Sequence, residues 1–237
     1  MEIRFRDDMT VELVKHAASD ADVIWAARVS TKGESSLADI EADPERSAGL
    51  INYLMRDRHG TPFEHSSMTF YVRAPIFVFR EFMRHRTFSY NEESGRYREL
   101  EPEFYVPGPE RKLVQVGKAG RYDFVAGTPE QHKLVTEATR ESYRQAYAAY
   151  REMLDAGVAR EVARTVLPVG LYSSMYATCN ARALMNFLSL RTRRDDAAYP
   201  SFPQREIELV AEAMEREWAA IMPLTHAAFE ANGRVAP

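Results

Sequence analysis

The thirteen residues from Arg84 to Arg96 bring together Arg84, His85, Arg86, Ser89, Asn91, Ser94, Gly95 and Arg96. Guanidinium forks pair with phosphate and with carbonyl edges, hydroxyl and amide side chains donate to phosphate or base edges, and a glycine lets backbone approach a ligand. The chemistry such a set can do is recognition of an anion that also carries amide edges. Residues 73–98 hold six arginines (Arg73, Arg80, Arg84, Arg86, Arg96, Arg98) against three acids, a net +3 inside a chain of formal net charge −4. Arg80 and Arg84, four apart, share one face of a helix running from Pro75. Arg84-His85-Arg86 falls at or past the end of that helix, where the chain must change direction. The alternative at this level is a solvated charged loop, since exposed charge clusters are common.

Other routes to chemistry have little support. No G-x-x-x-x-G-K-[ST] and no G-x-G-x-x-G occurs, which argues against a Walker-type phosphate loop and a Rossmann dinucleotide site. No H-E-x-x-H and no paired C-x-x-C occurs, so no metal site is expected. The single cysteine, Cys179, cannot build an intramolecular disulfide framework. No histidine lies near it in sequence and nothing nearby would depress its pKa, so it reads as structural. Of 31 basic residues only five are lysine; across the chain that preference reads as compositional bias, and only the central cluster reads as function.

The elements that must position these residues follow from pattern and punctuation. A length of 237 residues, 45% hydrophobic and 28% charged, suits one domain, or at most two, with a sizeable core. Asp43-Pro44 followed by Ala48, Leu50, Ile51, Leu54, Met55 and Gly60 reads as a capped helix. Thr128-Pro129-Glu130-Gln131 is a capping box that opens the longest helix, roughly 28 residues, ending near Gly157. Shorter helices are expected at Arg160–Leu167, stopped by Pro168, at Asn180–Leu190 and at Pro203–Met222. Met68, Phe70 and Val72 alternate with Ser67, Thr69 and Tyr71 as a strand. Gly170–Tyr176 reads as a strand or as an irregular lead-in to the next helix. Residues 102–127 read as a loop with a hairpin, Leu113–Val116 against Tyr122–Val125. The expected fold class is α+β, a small antiparallel-containing sheet covered by long helices in a single domain over 1–237. Apolar runs such as Ala74 to Phe79 are too short to span a bilayer, and the opening stretch MEIRFRDDMTVELV lacks the apolar region of a signal peptide. The expectation is a cytoplasmic protein with neither membrane nor nucleic acid as partner.

Arg84-His85-Arg86, seven residues and then Ser94 match the R-H-R-x7-S signature of the flavin-dependent thymidylate synthases. The resemblance extends through Ala26-Ala27-Arg28-Val29-Ser30, Thr61-Pro62-Phe63-Glu64-His65, Glu161-Val162-Ala163-Arg164 with Leu167-Pro168, and Asn180-Ala181-Arg182 through Leu188 with Arg191. It runs from about residue 10 to residue 220. Such a resemblance implies an α/β fold of the family's type and reductive methylation of dUMP at C5. FAD would be the cofactor, methylenetetrahydrofolate the one-carbon donor and NADPH the reductant. It also implies a homotetramer with active sites at subunit interfaces.

Carried over position by position, Arg191 is the catalytic arginine, stabilising negative charge on the N3/O4 edge of uracil. Ser67, Arg84, His85, Arg86, Glu92, Asn180, Arg182, Asn186 and His65 are the flavin contacts, His65 also near the folate. Glu81, Arg84, Glu92, Glu93, Ser94, Gly95, Arg96, Arg164 and Arg191 line the nucleotide site. Ser94 reads as a phosphate or sugar ligand rather than a nucleophile, because a serine nucleophile needs an adjacent base and Glu92 or Glu93 would be a weak one. For single residues blander readings remain: Asn186 bridging backbone, Arg164 pairing with Glu161. The chain departs from the family's pattern after Arg191. The stretch Arg193 to Phe202 is longer and lacks the histidine that many members carry there. That makes UMP the second substrate reading, with Arg194 or Asp195 as a partner for the 2′-hydroxyl and this loop at the rim of the site. A non-catalytic nucleotide- or RNA-binding protein, stacking bases on Tyr90 and Tyr97, is the reading from a different class.

Overall fold

The computed structural model describes residues 2–33, 44–118 and 121–237. In chain order the elements are strands β1 (Arg4–Arg6) and β2 (Thr10–Ala17), helices α1 (Asp20–Lys32) and α2 (Pro44–Arg56), and strand β3 (Ser67–Pro75). The short helix α3 (Ile76–Phe82) leads to strands β4 (Ser89–Glu92), β5 (Glu103–Tyr105), β6 (Val114–Lys118) and β7 (Arg121–Val125). Helices α4 (Pro129–Asp155) and α5 (Arg160–Ala163) are followed by β8 (Tyr172–Cys179), then by α6 (Ala181–Arg191), α7 (Arg205–Ile221) and α8 (Pro223–Ala231). This is the expected mixture of helix and antiparallel sheet.

The chain divides into two compact units. One comprises Met1–Asp8, Ala74–Phe77 and Glu93–Ser173. Here β1 pairs in parallel with β5, and Phe104, Tyr147, Tyr150 and Leu171 form a buried core with Tyr143 and Met153 packed on it. The Tyr150 hydroxyl accepts the Leu100 amide at 3.2 Å, so the aromatic core also satisfies loop backbone. The capping box forms as expected: Gln131 N donates to Thr128 Oγ1 at 3.2 Å and Thr128 N to Gln131 Oε1 at 2.8 Å. The hairpin also forms, β6 antiparallel to β7 with Val114 opposite Val125. The expected helix from Arg160 to Leu167 is instead one α turn continued by a 3-10 turn at Arg164–Val166.

The other unit comprises Met9–Arg73, Val78–Glu92 and Ser174–Pro237. Its sheet has the order β2-β3-β8-β4, with β2 antiparallel to β3 and β4 antiparallel to β8. Helix α7 packs on β2, and α6 packs on α7. Their facing surfaces bury Leu184, Phe187, Val210, Met214 and Trp218. Two helices absent from the sequence expectations, α1 and α8, are tied to each other. The Asp20 carboxylate accepts the Leu224 and Thr225 amides at 2.9 and 2.8 Å, capping the start of α8. Helix α2 begins at Pro44 as expected; its cap Asp43 lies outside the described residues. Gly170–Tyr176, left open between strand and lead-in, contributes to β8. Among the described residues no helix is long and apolar enough to cross a membrane.

Candidate active site

Arg191 is the last residue of α6, and its guanidinium reaches back to the turn that follows α3. Its Nη1 donates to Glu81 Oε2 at 3.0 Å, and its Nε donates to His85 Nε2 at 3.0 Å. An arginine only donates, so His85 Nε2 is the accepting nitrogen and the neutral ring carries its proton on Nδ1. Burial, reinforced by the Arg191 charge, lowers the His85 pKa from 6.5 to about 4. Burial raises the Glu81 carboxyl above its ordinary range, with the Arg191 charge opposing. The result is one fixed cation held between a carboxylate and a neutral imidazole.

The turn that carries Arg84-His85-Arg86 is pinned from beneath. The Tyr90 hydroxyl lies 2.8 Å from the Phe82 carbonyl and 2.9 Å from the His85 carbonyl. His85 also sits edge-on against Phe187 of α6 at 4.8 Å, while Phe82 packs on the same ring at 4.6 Å. The middle residue of the motif is thus locked inward, and Arg84 and Arg86 are exposed. Among the described residues no ion pair engages Arg84 or Arg86, whereas Arg96 and Arg98 pair with Glu161 and Glu93. Tyr90 is therefore a structural pin rather than a stacking platform, and burial pushes its phenol pKa up. Tyr97 is 78% exposed, with the Arg96 guanidinium over its ring.

A second group of expected residues meets around the start of α6. Asn180 caps this helix by accepting the Ala183 amide at 2.8 Å, and the Ala181 amide donates to Ser66 Oγ at 3.0 Å. Ser67 opens β3 and is exposed. Arg182 pairs with Glu64 at 2.6 Å and donates to the Pro237 carbonyl at 2.6 Å. Gly60 packs so closely on the Arg182 guanidinium that a Cβ there would come within 2.6 Å of its Nε. The Asn186 amide donates to the Arg182 carbonyl one turn back at 3.1 Å. Glu92 ends β4 opposite Met175.

The two motif segments 26–30 and 61–65, more than thirty residues apart in sequence, line one cavity of about 730 Å³ with Leu50, Tyr53, Arg58 and His59. His65 is part of its wall and packs edge-on against Trp25 at 6.1 Å. Apolar side chains, two imidazoles, Arg28 and Arg58 around one space suit an aromatic group that carries phosphate, as a flavin nucleotide does; of the expected flavin contacts, His65 is the one that lines it. Tyr53, Arg58 and His59 were not anticipated; Arg58, at φ 62° and donating to the Val235 and Ala236 carbonyls, has no motif to mark it.

In the first unit, Ser94 organises a tight turn: its carbonyl accepts the Tyr97 amide at 3.0 Å and its Oγ the Arg96 amide at 3.3 Å. A Cβ on Gly95 would stand 2.8 Å from Leu100 Cδ1 and 3.2 Å from Arg164 Cδ, so glycine lets Leu100 and the Arg164 stem lie close against this turn. Glu161 pairs with Arg96 at 2.9 Å rather than with Arg164, which leaves Arg164 without an ion pair among the described residues. Glu93 pairs with Arg98 at 3.4 Å. The Ser94 turn has no histidine partner among these contacts, in keeping with a ligand-binding rather than a nucleophilic serine.

Cys179 is buried at the end of β8, and burial pushes its thiol pKa far up. A thiolate nucleophile is not prepared here. In the stretch after Arg191, Arg194 faces Glu212 and Glu215 of α7 at 3.8 and 3.6 Å, and Asp195 lies 3.6 Å from Arg193. The two residues expected to serve a 2′-hydroxyl are therefore engaged with protein charges.

Comparison with known proteins identifies the family. The family model described as "Thymidylate synthase complementing protein" matches residues 12–224. The flavin-dependent thymidylate synthase of Streptomyces coelicolor is 73% identical over 99% of this chain and 96% of its own length. That of Thermotoga neapolitana is 42% identical over 97% and 94%. Among solved structures, the UMP/dUMP methylase PolB from Streptomyces cacaoi bound with 5-Br dUMP superposes with a TM-score of 0.93 at 59% identity, covering 99% of this chain and all of that one. The same protein bound with 5-Br UMP gives 0.91 at 58%. With its R-H-R turn, its Arg191 pair and relatives of this closeness, the chain belongs to the thymidylate synthase complementing protein family and is an enzyme of the flavin-dependent thymidylate synthase type.

Proposed function

We propose that the protein converts dUMP to dTMP, with FAD as cofactor, methylenetetrahydrofolate as one-carbon donor and NADPH as reductant. The observation that carries this reading is the Arg191 guanidinium fixed on Glu81 and neutral His85. Methylation at C5 of uracil requires electron density on that carbon. With no thiolate available at Cys179, that density comes from stabilising negative charge on the N3/O4 edge. A preorganised cation does this without reorganising during the reaction. His85, being neutral, adds no competing charge and fixes the plane of the guanidinium. When bound, the flavin supplies the redox chemistry and the relay of the one-carbon unit. The residues that would hold it are Ser67, Arg84, His85, Arg86, Glu92, Asn180, Arg182, Asn186 and His65. Glu81, Arg84, Glu92, Glu93, Ser94, Gly95, Arg96, Arg164 and Arg191 would bind the nucleotide, with Arg164 and the Ser94-Gly95 turn suited to phosphate. The expected assembly is a homotetramer that completes each site at subunit interfaces, residues 1–237 acting as one domain in the cytoplasm.

A second reading, UMP alone or both nucleotides, is favoured by the full-length likeness to PolB, whose description as a UMP/dUMP methylase covers both sugars. The experiment is turnover of dUMP against UMP by the purified yellow protein with methylenetetrahydrofolate and NADPH, alongside sedimentation. A tetramer with the higher kcat/KM for dUMP supports the first reading. A higher kcat/KM for UMP replaces it with the second, and a flavin-loaded monomer that turns over refutes shared sites.

A further inference from the structure

Arg234 stands at φ 57°, a left-handed conformation that costs any residue with a Cβ and favours glycine or asparagine. It is also buried, 4% exposed. An arginine in such a place must answer to its contacts. Its Nη1 and Nη2 donate to Glu215 Oε1 and Oε2 at 2.7 and 3.0 Å, and Nη2 also donates to Thr192 Oγ1 at 2.8 Å. Thr192 Oγ1 in turn donates to the Leu188 carbonyl at 2.7 Å, one turn back in α6. The Thr192 carbonyl accepts Ser201 Oγ at 2.8 Å. The residue directly after Arg191 is therefore fixed at both its side chain and its backbone. The Arg191 guanidinium itself bonds Glu81 and His85, assigned above to the nucleotide site and to the flavin.

We propose that Arg234 is a positioning residue for the reaction: by clamping Thr192 to the buried Glu215, it fixes the end of α6 and so the direction in which Arg191 points. The inference rests on the role given to Arg191 above. Burying an arginine and a glutamate together is often no more stabilising than an apolar pair, so stability alone does not account for the clamp. Burial alone would raise the Glu215 carboxyl; hydrogen bonds from His226 and Arg234 and the charges of Arg234 and Arg194 outweigh it and hold the group at about 2, so the anchor stays ionised. Glu215, His226 and Glu230 converge as a cation site would, but Arg234 lies against both carboxylates and already supplies the cation.

The test uses the flavin-loaded enzyme. Thr192→Val keeps the shape of the side chain and removes both hydroxyl links. A small displacement of a group acting on the reacting ring costs rate more than affinity, so kcat should fall about tenfold or more while KM for dUMP moves less than about threefold. Thr192→Ser should restore kcat, and Arg234→Lys should lower it. The double variant Thr192→Val with Arg234→Lys should be no slower than the slower single, because both act through one contact. Wild-type kcat in Thr192→Val with only a lowered Tm would overturn the proposal, and so would additive losses in the double variant. Arg191→Ala separates the two levels. If it loses turnover while Thr192→Val does not, the clamp alone is refuted. If Arg191→Ala turns over normally, the role of Arg191 falls and the clamp falls with it.

Discussion

His85 gives the most quantitative prediction, because its protonation would place a second cation 3.0 Å from Arg191. Its folded-state pKa, about 4, lies below the ordinary 6.5, with burial the larger cause and Arg191 the smaller. Between these values the unfolded chain binds more protons than the folded one, so stability is full above about pH 6.5 and is lost as pH falls toward 4. Integrated from pH 7.5 to 5, a shift of this size corresponds to about 2 kcal/mol; His85 is only partly buried, and screening by water reduces this to about 1 kcal/mol. For a chain of this length that is about 2–4 °C in Tm. The control is His85→Gln, whose amide oxygen accepts the Arg191 Nε–H but takes no proton in this range. Thermal melts of both proteins at pH 7.5 and 5.0, at fixed protein and flavin concentration, should show the wild type losing about 2–4 °C more than the variant. Parallel losses would mean that His85 titrates normally in the folded protein, and the picture of a neutral imidazole accepting from Arg191 would be wrong.

Arg191→Ala should lower kcat by roughly a hundredfold, the usual cost of removing one preorganised charge-stabilising group, with a much smaller change in nucleotide Kd; equal losses in both would make Arg191 a general anchor. Cys179→Ala should keep turnover close to wild type, and complete loss in a folded, flavin-loaded variant would reopen the thiol. Tyr90→Phe removes the hydroxyl shared by the Phe82 and His85 carbonyls and should cost about 1 kcal/mol of stability, read by denaturant melts. Gly95→Ala should raise KM for the nucleotide, because the new methyl displaces Leu100 or Arg164; an unchanged KM would remove this turn from the binding site.

What the sequence disclosed was local. Thr128 and Gln131, Asn180 at the head of α6, and the alternation through Met68, Phe70 and Val72 each satisfy backbone or burial within a few residues, and each appears in the fold as read. Strand β2 was not read because its side chains are mostly half-buried or exposed, which blurs the period of two. Helix α8 depends on Asp20, about 200 residues away, for its cap. Within the site, the R-H-R turn was legible as chemistry, but its pairing with Arg191 is a contact across 106 residues. Spacing alone could not decide whether Glu161 belongs to Arg164 or to Arg96; packing of the Arg164 stem against Gly95 accompanies the second choice. The Arg234 clamp carries no motif at all, since Glu215 looks like an ordinary helix charge and Arg234 like an ordinary surface charge until they are brought together.

The order β2-β3-β8-β4 leaves β2 and β4 as the edges of the four-stranded sheet, and open edges invite pairing with other chains. Strand β4 is only four residues long and lies inside the R-H-R-x7-S segment, so the stretch proposed to recognise ligand also keeps one edge too short to template a partner. Strand β2 is interrupted by a register shift between Leu13 and Lys15 that leaves Val14 unpaired, and a bulge beside an exposed lysine discourages edge-to-edge association. Edge protection and the signature segment therefore coincide at β4, and substitutions that lengthen β4 or straighten β2 would favour edge-to-edge association.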